Sequence, residues 1–187
     1  MAGGCAADAR SQPRAALSEG RAIAGKTLGP VGFGGIGRLT GRLSRALGMR
    51  AMGFDAQVLP ADPSWAEAGV EPRTLDAVLA AADVLTLHVP LAPATRSLID
   101  AERIAAMKRG AILINTTRGG VVDEAAVAAA LRSGHLGGAA LDVFAKEPLP
   151  AGSPLAGCPH LILTPHIAGV TIESNERELA CAATIHF

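Results

Sequence analysis

GKTLGPVGFGGIGR, residues 25–38, is the stretch on which the fold turns. Lys26–Gly32 reads as a short apolar strand, and from Ile36 to Leu47 the apolar residues fall at helical spacing. Between them Gly32, Gly34 and Gly37 make G-x-G-x-x-G. In a strand-to-helix turn the first glycine permits the tight turn and the second lets backbone approach a ligand. The third lets helix and strand pack closely. The free N–H groups and positive dipole end of such a helix hold phosphates without a lysine. Alone, the pattern is also that of an ordinary tight turn. Pro30, inside the strand, removes a backbone donor and argues for a later start or a weaker ladder.

Outward from this loop, short apolar runs alternate with helical patterns. Arg50–Asp55, Val84–Val89, Ala111–Asn115, Ala139–Val143 and Leu161–Thr164 read as strands without inside/outside alternation, as in strands buried on both faces. Ile36–Leu47, Leu75–Ala82, Ala101–Met107 and Glu124–Arg132 read as helices, with Asp100 and Asp123 as caps and Gly110 and Gly134 just past helix ends. In the first, Ile36, Leu39, Leu43 and Leu47 form the apolar face, and Arg38, Arg42 and Arg45 a solvated one. A last helical pattern runs from Ile172 towards Ala183, and residues 1–24 form a poorly ordered lead-in with a helical turn near Arg14 to Leu17. The expected fold is α/β: a Rossmann-type doubly wound parallel sheet with helices on both faces and ligands at the carboxyl ends of its strands.

Asp55 strengthens the nucleotide reading of the loop. It ends the second strand about 20 residues beyond the glycines, where a carboxylate accepts hydrogen bonds from adenosine ribose hydroxyls. It would repel a 2′-phosphate, and Ala56-Gln57-Val58 offers no compensating arginine, so NAD is expected over NADP. Composition narrows the other partners. Seventeen basic residues balance seventeen acidic ones, and aromatic content is 3% with no Tyr, which disfavours nucleic acid and anionic membrane surfaces. There is no signal-like start and no apolar run long enough to span a bilayer. Cys5, Cys158 and Cys181 lack metal or dithiol spacing, and His135, His160 and His186 form no ligand set, so a reducing cytoplasm and no metal are expected. Trp65, in a Pro-rich loop, could pack locally or at a partner surface.

Three chemically active side chains follow strands: Arg118 in Asn-Thr-Thr-Arg-Gly-Gly-Val-Val-Asp-Glu (115–124), Glu147 in Gly-Gly-Ala-Ala-Leu-Asp-Val-Phe-Ala-Lys-Glu-Pro (137–148), and His166 in Leu-Thr-Pro-His-Ile-Ala-Gly. Singly, each has a plainer reading as a solvated arginine, a turn glutamate or a structural histidine. Together with the glycine loop and in this order, the motifs resemble the NAD-dependent D-isomer-specific 2-hydroxyacid dehydrogenases, the phosphoglycerate dehydrogenase-like family, over residues 25 to about 178. The resemblance implies that His166 is the acid/base, that Glu147 orients its imidazole, and that Arg118 holds the substrate carboxylate with a planar fork. It implies cofactor contacts from Gly35 and Ile36 at the pyrophosphate and from His88, Val89 and Pro90 on the adenine side. Thr116, Thr117, Arg118 and Asp142 would lie near the nicotinamide half, with His166, Ala168 and Gly169 beside them. His88 is expected to be structural rather than catalytic.

The same family carries a second, substrate-holding domain built mainly from an N-terminal segment of roughly 100 residues and closed by a returning C-terminal helix. Only 24 residues precede the glycine strand, and residues 179–187 read as the truncated start of that helix. The expectation is therefore an NAD-binding domain over residues 25–178 that carries catalytic side chains for a 2-hydroxy/2-keto acid, phosphoglycerate- or sulfolactate-like, and that forms a homodimer. The alternative is an NAD-binding module or fragment with little turnover.

Overall fold

The computed structural model describes residues 20–172 and Ser174 of the 187. The expected turn at Arg14 to Leu17, and the helix beyond Ile172 apart from Ser174, lie outside the described residues. Twelve elements follow in order: β1 (Thr27–Val31), α1 (Gly35–Ala46), β2 (Arg50–Gly53), α2 (Pro63–Ala68), β3 (Glu71–Pro72), α3 (Leu75–Ala81), β4 (Val84–Leu87), α4 (Ala101–Ala106), β5 (Ile112–Asn115), α5 (Glu124–Arg132), β6 (Gly138–Leu141) and β7 (Leu161–Leu163). The sheet has seven strands in the order β3-β2-β1-β4-β5-β6-β7, every pair parallel.

Right-handed crossovers explain the layering. The chain steps one way from β1 to β3, placing α1 and α2 on one face, then returns through α3 and steps the other way, placing α3, α4 and α5 on the opposite face. That second face holds the main core: Leu85, Leu87, Leu113 and Leu141 from the strands meet Val78 and Leu79 of α3, Ile104 of α4 and Val127 and Leu131 of α5. Asp100 and Asp123 cap α4 and α5 as expected, accepting from Arg103 N and from Ala125 N and Ala126 N.

Over β5 to β7 the first face has no described helix. Ile114, Ala140 and Ile162 stand in one register row there, and Ile162 is 65% exposed and Ile112 39%. The two faces therefore respond differently to truncation. Leu113→Ala empties a packed site and costs about 2–5 kcal/mol, whereas Ile162→Ala changes stability by less than about 1 kcal/mol. Urea unfolding of the two variants checks this.

Two readings from sequence need correction, and the expected effect of Pro30 on its strand is located. The apolar stripe of α1 does not face the sheet: Ile36, Leu39, Leu43 and Leu47 are 47% to 68% exposed, and Gly37, Gly41 and Ser44 are the buried residues. A Cβ on Gly41 would lie 2.4 Å from Val70 Cγ2, so α1 approaches too closely for larger side chains on that face. The Pro-rich loop holds α2, opened by Asp62 as cap and Pro63 in its first turn. Trp65 packs locally, its ring stacked on Phe33 at 3.6 Å and its indole N–H donating to Leu59 O at 3.0 Å. Pro30 does sit inside β1, and its effect falls on one neighbour. The β1–β4 ladder runs unbroken from Leu28 to Val31, while pairing with β2 stops after Leu28↔Ala51 and resumes only at the Val31↔Phe54 bridge.

Candidate functional site

Because all seven strands are parallel, the loops that follow them share one edge of the sheet. That edge gathers Gly32–Gly37 after β1, Asp55 after β2, His88–Pro90 after β4, Thr116–Arg118 after β5, Asp142 and Glu147 after β6, and His166, Ala168 and Gly169 after β7.

The glycine loop is built to leave space. Gly32 adopts φ 96°, and a Cβ there would lie 2.6 Å from the His88 carbonyl. A Cβ on Gly37 would lie 2.1 Å from Gly32 O, whereas Gly34 and Gly35 have nothing within 4 Å. Gly34 caps α1 without a side-chain bond, so the first-turn N–H groups are open to an anion. Beside this cradle, Ile36, His88, Val89, Pro90, Thr116, Thr117 and Arg118 line a cleft of about 330 Å³. An uncapped helix start beside this cleft is suited to an anionic ligand.

Asp55 is already engaged. Its Oδ2 accepts from Phe33 N at 2.6 Å, and its Oδ1 from Gln57 N at 2.7 Å and Val58 N at 3.1 Å. With two lone pairs on each oxygen, Oδ2 keeps one for a further donor. The same carboxylate thus ties the glycine loop to the end of β2.

His88 is half-buried behind the glycine loop. Its Nε2 lies 3.2 Å from Thr86 Oγ1, its buried Nδ1 has no partner among the described residues, and burial pushes its pKa down from 6.5 to about 4. The unfolded chain therefore binds the extra proton first. Stability contributed by the neutral imidazole is whole above about pH 6.5 and falls as pH drops towards 4, by about 2 kcal/mol at pH 5. His88→Gln should remove most of that loss, as urea titrations at pH 7 and pH 5 would show.

Sequence reading passed over Asn115. Buried at the end of β5, its side-chain carbonyl accepts from Thr117 N at 3.1 Å and Thr117 Oγ1 at 2.9 Å, and its amide donates to Arg118 O at 3.1 Å. It therefore shapes the turn that carries Arg118. An asparagine at a strand-to-turn junction was the available signal. Arg118 itself donates to Thr117 O at 2.7 Å.

At the β7 end, His166 Nδ1 lies 2.8 Å from Glu147 Oε2, and Glu147 Oε1 accepts from Phe144 N at 3.0 Å. The bond to His166, then that from Phe144 N, hold the Glu147 carboxyl below its ordinary range. Nδ1 facing a carboxylate is the donor, and in a neutral imidazole so oriented Nε2 is the acceptor. An apolar recess of about 300 Å³, walled by Phe144, Pro148, Leu149, Leu163 and Pro165, borders the pair. Asp142 joins this end to the cleft: it lines a groove with Thr116 and accepts from Thr164, Ile167 N and Ala168 N. Burial, the largest single influence, raises its pKa, and those bonds together outweigh it and hold the carboxyl below its ordinary range. His135 Nε2 instead lies 2.9 Å from Ile104 O. Among the described residues there is no cluster of three metal-binding side chains and no helix long and apolar enough to cross a membrane.

The family model described as "D-isomer specific 2-hydroxyacid dehydrogenase, NAD binding domain" matches residues 6–168. The chain belongs to that family. It is 55% identical to the (S)-sulfolactate dehydrogenase of Chromohalobacter salexigens over 88% of its own length and 53% of that protein. It is 47% identical to the glycerate dehydrogenase of Methylorubrum extorquens over 82% of its length and 46% of that protein. The Aquifex aeolicus D-lactate dehydrogenase, solved with NAD and lactic acid, superposes with a TM-score of 0.82 at 33% identity, covering 94% of this chain and 56% of that one. The chain thus spans about half the length of the dehydrogenases it matches, and the family's NAD-binding domain accounts for the glycine loop and the cleft beside it.

Proposed function

We propose that the chain is the cofactor-holding half of an NAD-dependent D-2-hydroxyacid dehydrogenase, residues 25–178 forming the NAD-binding domain. The reaction is hydride exchange between NAD(H) and a 2-hydroxy or 2-keto acid. The observation that carries this is the His166–Glu147 pair, 2.8 Å apart, on the same sheet edge as the glycine loop. Gly32 to Gly37 hold the pyrophosphate, Asp55 takes a ribose hydroxyl, His88 to Pro90 line the adenine side, and Thr116, Thr117, Asp142, Ala168 and Gly169 border the nicotinamide half. When bound, the nicotinamide supplies the hydride acceptor. His166 Nε2 takes the proton of the C2 hydroxyl as the C2 hydrogen leaves with its electron pair, and the hydroxyl oxygen becomes the keto oxygen. Glu147 stabilises the imidazolium so formed, and the Arg118 guanidinium grips the substrate carboxylate.

The relatives' names favour a 2-hydroxy acid with a second anionic or polar group, sulfolactate- or phosphoglycerate-like. The cysteine spacing in the sequence, without a metal or dithiol pattern, supports a cytoplasmic protein. The exposed α1 stripe supports a homodimer through the cofactor domain, and Leu43→Glu should convert a dimer into a monomer in light scattering. The alternative reading is an NAD-binding module with little or no turnover. Following NADH absorbance with glyoxylate, hydroxypyruvate, phosphohydroxypyruvate and sulfopyruvate separates the two: the dehydrogenase reading requires oxidation that depends on His166, and binding without such oxidation leaves the module.

A further inference from the structure

We propose that Asp142, assisted by Thr164, is a positioning residue that clamps the backbone around His166 and so holds its imidazole against Glu147. The need for a clamp lies in the backbone. His166 has φ 56°, in the left-handed region that a side chain with a Cβ adopts only at a cost of about 1–3 kcal/mol and only where the surroundings enforce it. Asp142 supplies that enforcement from the neighbouring strand end. It is 3% exposed, and its Oδ1 accepts from the Thr164 hydroxyl and from Ile167 N at 2.9 Å, while its Oδ2 accepts from Ala168 N at 2.9 Å. The carboxylate therefore grips the chain two residues before His166, one after and two after. Two successive N–H groups on one buried anion form a compact nest that cannot rotate without breaking charge-assisted bonds.

Glu147 is fixed in its turn by Phe144 N, so both members of the pair are tied to the stretch that leaves β6. Released from Asp142, His166 can relax to negative φ, which redirects its Cβ and carries Nδ1 away from the carboxylate. Oδ2 retains one lone pair, so the clamp is compatible with a cofactor contact by the same residue. The inference rests on the proposed role of His166, but its test reads geometry rather than turnover, and the two fail separately.

The test is long-range proton–nitrogen spectroscopy of the cofactor-free chain, at a pH that leaves imidazole neutral, with the His166 signals assigned by their loss in His166→Gln. The wild-type chain should show a protonated Nδ1 and a bare Nε2. Glu147→Gln should lose this signature without touching the clamp. Asp142→Asn turns one acceptor into a donor facing the N–H groups and should give tautomer-averaged nitrogens in a chain that still melts cooperatively. Thr164→Val, which keeps both backbone bonds, should give a partial loss. An unchanged His166 signature in folded Asp142→Asn overturns the proposal, including when NADH affinity falls, since Asp142 would then be a cofactor contact alone. Should Asp142→Asn fail to fold, an unchanged signature in folded Thr164→Val overturns it.

Discussion

Gly37→Ala weakens NADH binding at least about 100-fold, equivalent to about 3 kcal/mol or more. The added methyl would sit 2.1 Å from Gly32 O, so the loop must open by more than an ångström or α1 must tilt away from β1. Either movement displaces the uncapped N–H groups at the start of α1. Because the collision is with backbone, no rotamer change relieves it, and the melting temperature should fall as well. Gly34→Val is the companion measurement. Nothing lies within 4 Å of its Cβ, so the fold should survive with a change of about 1 kcal/mol or less. A side chain there nevertheless occupies the space through which backbone would approach a pyrophosphate. Calorimetric titration of both variants separates loss of the loop from loss of room in front of it.

The second large effect is on turnover. His166→Gln should lower the rate of NADH oxidation by about 10²–10⁴-fold, the range for removing a positioned general acid/base. NADH affinity should change far less than in Gly37→Ala. Glutamine keeps a polar side chain of similar reach but cannot take up a proton at neutral pH, so the variant isolates proton transfer from packing. Glu147→Gln leaves the histidine in place and removes only the carboxylate that fixes its tautomer, so its loss should be smaller and should shift the pH profile. Single-turnover measurements at high protein concentration, with the keto acids named above, compare the three chains on one scale.

The parts of the molecule legible in sequence are those where local chemistry and tertiary role coincide. The glycine loop is one, since Gly37 answers a contact with Gly32 O inside the same strand-turn-helix unit and Gly34 leaves the space in front of it open. Asp100 and Asp123 are others, because a cap is settled within three residues of the helix it starts. Legibility failed where packing inverted the local pattern. In α1 the leucines recur at the spacing of a buried face, yet the sheet accepts only Gly37, Gly41 and Ser44, because the helix axis comes too close for larger side chains. Hydrophobic periodicity registers which face is apolar, not which is near. α2 was missed for a different reason: its Asp62-Pro63 start was present, but the surrounding prolines read as a loop.

The candidate site divides in the same way. His166, Glu147 and Arg118 are visible as chemically capable side chains after strands. Asn115 and Thr164 are not, because their contribution is to shape turns. The Asp142 clamp joins residues more than twenty apart in sequence, and no spacing rule links a carboxylate after one strand to N–H groups after the next.

The proposed dinucleotide site is the glycine loop together with Asp55. Calorimetric titration of the chain with NADH, set beside NADPH and an Asp55→Ala variant, tests it most directly. Saturable binding of one NADH per chain, weaker binding of NADPH, and loss of NADH affinity in Asp55→Ala are expected. A cooperatively folded chain that takes up no NADH, or binds NADPH as tightly as NADH, would contradict it.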